Sequence, residues 1–174
     1  MFVLGIDPGL SRCGYGCVEQ SGGRSRAVAA GVISTSPAHP VPERLAELQR
    51  ELRALIAELS PSVVALERVL FQNNVRTAIS VGQASGIAMV EAVTAGCHVV
   101  EYSPNQVKEA VAGYGSAPKE QVEKMVQTLL GIRTRLRPVD AADAVAVALC
   151  HLAHDPTGSG VAATATVPAG ARRR

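Results

Sequence analysis

Phe2-Val3-Leu4-Gly5-Ile6-Asp7-Pro8-Gly9 opens the chain and decides how the rest is read. The apolar run 2–6 is far too short to cross a membrane and has the length of a buried strand. It ends on an acid. A carboxylate buried without a partner costs several kcal/mol or more, so Asp7 must be hydrated, paired or bound to a cation. Pro8-Gly9 turns the chain, and residues 13–19 read as a returning antiparallel strand. Strand, acid, turn and strand hold one carboxylate rigidly at a sheet edge.

Working outward, residues 27–34 read as a third strand, reached through Ser21-Gly22-Gly23. A loop with three prolines, 36–42, leads into a helix over 43–59. There Leu45, Leu48, Leu52, Leu55, Ile56 and Leu59 share one face, while Glu47, Arg50, Glu51 and Arg53 point away. Ser60-Pro61 stops it. Val63-Val64-Ala65-Leu66 is apolar throughout, as a central parallel strand covered on both faces must be, and it too ends on an acid, Glu67.

Gln72-Asn73-Asn74 makes a polar turn before a helix over 76–95, closed by Gly96. Its small residues Ala78, Gly82, Ser85 and Gly86 suit either tight packing on the sheet or close approach of a second helix. Residues 97–102 form the fifth strand, and Ser103-Pro104 caps and starts a short helix. Gly113-Tyr114-Gly115-Ser116 is a flexible connection. Helices over 118–130 and 139–154 follow, separated by a basic loop carrying Arg133, Arg135 and Arg137. The pattern predicts one α/β domain over 1–154, a five-stranded mixed sheet flanked by helices. Residues 155–174, Gly, Ala, Thr and Pro without periodicity, read as a disordered tail ending in Arg172-Arg173-Arg174.

Hydrophobic content of 47% with only 3% aromatics implies a core of Ala, Val, Leu and Ile. Asp7, Pro8 and Arg12 interrupt the region where a signal peptide would be apolar. No stretch approaches the roughly eighteen apolar residues of a membrane span. The expectation is a soluble, cytoplasmic protein with no membrane partner. Cys13, Cys17, Cys97 and Cys150 form no C-x-x-C pair and read as reduced thiols rather than a zinc site. Of the 17 basic residues, 14 are arginine, and the net charge is only +2. The arginine fork suits phosphate, but such a bias also follows from genome composition, so charge alone does not establish nucleic-acid binding.

The acids carry more. Asp140 and Asp143 lie three residues apart at the start of the last helix, on one face. Either alone is accounted for as an acid complementing a helix dipole. Two together, with Asp7 and Glu67 ending strands, suggest a cluster, because sites in parallel sheets lie beyond the carboxyl ends of the strands. Two like charges about 4 Å apart repel by roughly 4 kcal/mol at an effective dielectric near 20. Such a cluster wants cations, and all-oxygen ligation favours Mg²⁺ or Mn²⁺. Two such ions about 4 Å apart activate a water and stabilise the leaving oxygen of a phosphodiester.

The chain resembles the RuvC family of Holliday-junction resolvases, in the ribonuclease-H-like superfamily. The match runs through Ile6-Asp7-Pro8-Gly9 with Gly14-Tyr15-Gly16, then Leu66-Glu67 and Gly82-Gln83-Ala84-Ser85-Gly86. It continues through Glu101-Tyr102, Gln106-Val107-Lys108 and Gly115-Ser116-Ala117-Pro118-Lys119 to Asp140-Ala141-Ala142-Asp143-Ala144. Order and spacing hold from residue 1 to about 151.

The resemblance implies a homodimeric endonuclease that binds a four-way DNA junction and nicks two strands symmetrically in recombination and repair. RuvA, a junction-binding protein, and RuvB, a branch-migration motor, are its implied partners. Asp7, Glu67, Asp140 and Asp143 are its implied catalytic metal ligands, holding two ions. Lys108 and Lys119 match positions that face DNA phosphates, Arg76 is a further candidate DNA contact, and helix 76–95 matches the dimer interface. The family often carries an aromatic three residues after the strand-ending Glu, pressed on junction bases. Here that slot is Leu70 and Phe71 follows, so either meets the bases or both are core residues.

Three rival readings are a related nuclease acting on RNA–DNA hybrids or flaps, a non-catalytic junction-binding module, and an actin-like or sugar-kinase-like ATPase. The presence of all four acids argues against the second. The third needs two such domains and has no phosphate loop of G-x-x-x-x-G-K-[ST] type here. His151 and His154 read as packed or surface histidines.

Overall fold

The opening run becomes β1 (Phe2–Asp7), paired antiparallel with β2 (Arg12–Ser21) and parallel with β4 (Val63–Glu67). β3 (Arg24–Ser34) joins β2 through Gly22 and Gly23, both at positive φ (57° and 75°), a conformation glycine adopts freely. β5 (His98–Tyr102) completes a mixed sheet in the order β3-β2-β1-β4-β5. The structure, a computed structural model, describes residues 1–68 and 75–155, apart from the side chain of Arg76. Expectations for Leu70, Phe71, the Arg76 side chain and the tail beyond Asp155 fall outside the described residues.

Successive strand residues point to opposite faces, so β1 feeds two cores. Val3 packs with residues of α3 (Pro104–Ala112), α4 (Lys119–Leu130) and α5 (Val139–His154). Leu4 and Ile6 pack with α1 (Val41–Leu59) and α2 (Val75–Thr94). β4 divides in the same way, Val63 and Ala65 to one side, Val64 and Leu66 to the other. Each of these Val, Leu and Ile side chains contributes about 1.5–3 kcal/mol on full burial.

α5 lies unusually close to the sheet. A Cβ on Gly5, Gly14 or Gly16 would overlap the backbone of Ala144, Asp140 or Val145 respectively. The helix is buried along most of its length, which explains a composition of Ala and Val with little amphipathic pattern.

α1 begins at Val41, two residues before the periodicity suggests, with Pro42 in its first turn. Arg44 is buried. Its Nε donates to Thr35 Oγ1 (2.9 Å), its Nη2 donates to Ser11 Oγ (2.6 Å), and Thr35 Oγ1 donates to the Leu10 carbonyl (2.6 Å). Arg53 is exposed as expected, yet it reaches across to Glu91 of α2, Nε to Oε2 at 2.9 Å and Nη2 to Oε1 at 3.0 Å.

The small residues of α2 divide. Ala78 and Ser85 are buried against the protein, whereas nothing lies within 4 Å of where a Cβ on Gly82 or Gly86 would stand. Ser103 caps α3 as expected, in a reciprocal box with Gln106. All four cysteines are free thiols. His151 is packed inside, its Nδ1 2.9 Å from the Tyr102 hydroxyl. No described helix is long and apolar enough to cross a membrane.

Candidate metal centre

Two strand ends and one helix start place the acids. Asp7 closes β1 opposite Gly14 of β2, and Glu67 closes β4 one step beyond the Ile6–Leu66 pair. The turn after Asp7 is pinned from behind by Arg44 on Ser11 and by Thr35 on Leu10. Asp140 stands in the first turn of α5, where its backbone rests on Gly14, and Asp143 follows one turn on.

One carboxylate oxygen from each of Asp7, Asp140 and Asp143 lies within 4.8 Å of the other two, the only such group of three among the described residues. Glu67 stands outside this trio. It lines a cavity of about 540 Å³ together with Asp7, Asp143, Lys108, Ser116 and Lys119. The four expected acids therefore form two overlapping sets that share Asp7 and Asp143, rather than one cluster.

Electrostatics single out Asp7. Burial, then the charges of Glu67, Asp143 and Asp140, push its pKa up to about 7 against a partial relief from Lys119. Burial and Asp143 raise that of Glu67, with Lys108 and Lys119 opposing. Charge repulsion of this kind is relieved by a hard cation, and a donor set made only of carboxylate oxygens fits a divalent ion such as Mg²⁺ or Mn²⁺. The residues present thus suit the metal dependence that their pattern implies.

Two basic side chains enter the same group. Lys119, the first residue of α4, donates from Nζ to Asp143 Oδ2 at 2.6 Å. Burial disfavours its charge, but the hydrogen bond to Asp143 and the fields of Asp143, Asp7 and Asp140 outweigh this and raise its pKa. Arg12, at the start of β2, donates from Nε to Asp140 Oδ2, also at 2.6 Å. Sequence reasoning missed Arg12. The available signal was register: with Asp7 facing Gly14, residue 12 falls beyond the same end of β1. Lys108 lines the cavity on the Glu67 side. His151 is bonded to Tyr102 and is not part of the acidic trio.

Known proteins resemble this arrangement along nearly the whole chain. The family model described as crossover junction endodeoxyribonuclease RuvC matches residues 3–151. The crossover junction endodeoxyribonuclease RuvC of Chloroflexus aggregans is 49% identical over 157 residues, covering 90% of this chain and 96% of that protein. The structure of Thermus thermophilus RuvC in complex with a Holliday junction substrate superposes with a TM-score of 0.86 at 38% identity, covering 91% of this chain and 97% of that one. The yeast mitochondrial Holliday junction resolvase shares the fold at 16% identity, with a TM-score of 0.62 and coverage of 87% and 78%.

Proposed function

Since this chain belongs to the RuvC family of crossover junction endodeoxyribonucleases, we propose that its acids at positions 7, 67, 140 and 143 form a two-ion centre for cutting four-way junctions. The protein is a junction-resolving endonuclease with a ribonuclease-H-like fold. The observation that carries the residue assignment is the convergence of Asp7, Asp140 and Asp143 within 4.8 Å, with Glu67 across the adjoining cavity.

Mg²⁺ or Mn²⁺, when bound, supplies Lewis-acid activation of water and neutralises charge on the phosphodiester. Asp7 and Asp143, common to both sets of acids, are the ligands suited to holding two ions near one another. Asp140 and Glu67 would complete the ligand set. Lys108 and Lys119, which both line the cavity, hold the phosphates of the strand to be cut. Arg76 adds a DNA contact, and Leu70 or Phe71 meets the junction bases.

The exposed face of α2 is the homodimer interface in this reading. Ile79, Gly82, Gly86, Val90 and Val93 recur every three or four residues on its exposed side, a stripe suited to another helix. A two-fold dimer presents two identical centres to one junction, which matches symmetric paired nicks. The dimer works in the bacterial cytoplasm beside the RuvA junction-binding protein and the RuvB motor. Residues 1–154 are the folding unit, and the tail beyond them is dispensable for it.

The test is replacement of each acid by its amide, Asp7→Asn, Glu67→Gln, Asp140→Asn and Asp143→Asn, with junction binding and cleavage measured separately. Lost cleavage with retained binding is expected for each. Cleavage retained by Asp7→Asn would contradict its place at the centre.

A further inference from the structure

Arg12 has no part in the roles assigned above, yet it holds one of the proposed metal ligands. Its Nε donates to Asp140 Oδ2 at 2.6 Å, and its side chain is 53% exposed. Among the described residues only that nitrogen of the guanidinium is engaged, leaving the terminal pair, the fork that fits a phosphate. The backbone beneath it is firm. Ser11, the preceding residue, accepts from buried Arg44, and the Thr35 amide donates to the Ser11 carbonyl at 3.2 Å.

We propose that Arg12 and a divalent ion compete for Asp140, so that ion binding releases the Arg12 guanidinium to a phosphate of the incoming DNA. The proposal rests on the metal-centre reading and extends it. An ion on Oδ2 draws off the negative charge that the Arg12 contact depends on, and two cations meeting at one carboxylate repel each other, so the ion weakens the hold of Arg12 on Asp140. An ion pair this exposed contributes little in water, so the exchange is easy in the presence of an ion. Once free, a cation rooted at the start of β2, next to the end of β1 that carries Asp7, stands beside the acids that the strand to be cut must approach. Ion and DNA then assist one another, and by reciprocity each strengthens the other's binding by the same factor. Lys119 makes the matching contact with Asp143 from the opposite side.

The first measurement is calorimetric titration of Mn²⁺ into the full-length, chelator-stripped protein at low salt, without DNA. Arg12→Ala should bind the ion about two- to five-fold more tightly than wild type, the factor set by an exposed ion pair. Arg12→Lys should lie between the two. A side chain that merely supported the site would give weaker binding instead, and weaker or unchanged binding overturns the proposal.

The second is the salt dependence of four-way junction binding, in EDTA and in Ca²⁺, with strand integrity checked on a denaturing gel. Arg12→Ala should lower the slope of log K against log salt by about one in Ca²⁺ and leave it unchanged in EDTA. An equal change in both would make Arg12 a constant phosphate contact and overturn the exchange. Failure of the wild type to bind Mn²⁺ would sink the metal centre and this proposal together. Binding that Asp7→Asn abolishes and Arg12→Ala leaves unaltered would sink only the role of Arg12.

Discussion

Gly14 lies directly under the backbone of Asp140: a single carbon added to the glycine would overlap the Asp140 carbonyl. Asp7 faces this same glycine across the β1–β2 ladder. One missing side chain thus brings the acid that ends a strand and the acid that starts a helix to within ligand distance, although 133 residues separate them in the chain. Gly14→Ala must push α5 off the sheet. We expect a loss of about 3 kcal/mol, the upper end for overpacking, together with weakened Mn²⁺ binding in the protein that remains folded. Thermal melts and ion titration check both, and a variant as stable as wild type would contradict the close approach.

Asp7 also makes the metal-free protein sensitive to pH. Its pKa in the folded protein is about 7, against an ordinary 3.8, because of burial and the facing charges of Glu67, Asp143 and Asp140, with Lys119 opposing. Below about pH 4 folded and unfolded forms are both protonated, and the group costs nothing. Between about 4 and 7 the unfolded chain ionises first, so stability falls as pH rises, and above about 7 the whole cost is present. In chelator near pH 8, Asp7→Asn should therefore be more stable than wild type by roughly 2–3 kcal/mol, discounted for partial solvent screening. Adding Mg²⁺ should raise the melting temperature of wild type and leave that of the variant unmoved. A variant no more stable than wild type in chelator would contradict this.

Lys108 and Lys119 are separable by salt. Each phosphate contact contributes about one to the slope of log K against log salt. Lys108→Ala and Lys119→Ala should each lower the slope for junction binding by about that amount and leave the melting temperature nearly unchanged. An unaltered slope would reduce either residue to a solvated charge or, for Lys119, to a partner of Asp143 alone.

The outer face of α2 predicts its own outcome. Ile79 and Val90 are more than half exposed, and they flank two glycines with open space before them. Ile79→Asp with Val90→Asp should leave the circular dichroism spectrum intact and produce a monomer by analytical ultracentrifugation. Paired nicking should then become uncoupled, with single nicks accumulating. A wild-type protein that sediments as a monomer would remove the interface altogether.

The parts of this fold written in local pattern were legible in the chain. β1 and β4 are short apolar runs ending in Asp7 and Glu67, and α1 announces itself by its leucine spacing. What depends on distant packing was not legible. Arg12 meets Asp140 across 128 residues, and Arg53 meets Glu91 across 38. No local rule pairs such groups. Arg44 lies one turn before Leu48 on the buried face of α1, where periodicity calls for an apolar residue, and Thr35 and Ser11 satisfy it there by accepting from its guanidinium. Gly5, Gly14 and Gly16 read in isolation as weak points of a strand. Only the arrival of α5 gives them a purpose. The acids themselves were legible as a set, but their division into two groups sharing Asp7 and Asp143 needed coordinates.

Cutting of four-way junctions by this acidic centre with a divalent ion is the expected activity. It is tested most directly by offering the protein a synthetic four-way junction, a linear duplex and an RNA–DNA hybrid in Mg²⁺, Mn²⁺ or EDTA, with Asp7→Asn alongside. Paired, symmetric nicks are expected in the junction alone, lost in EDTA and lost in the variant. Cutting of the hybrid in preference to the junction, or junction cutting that survives EDTA, would contradict it.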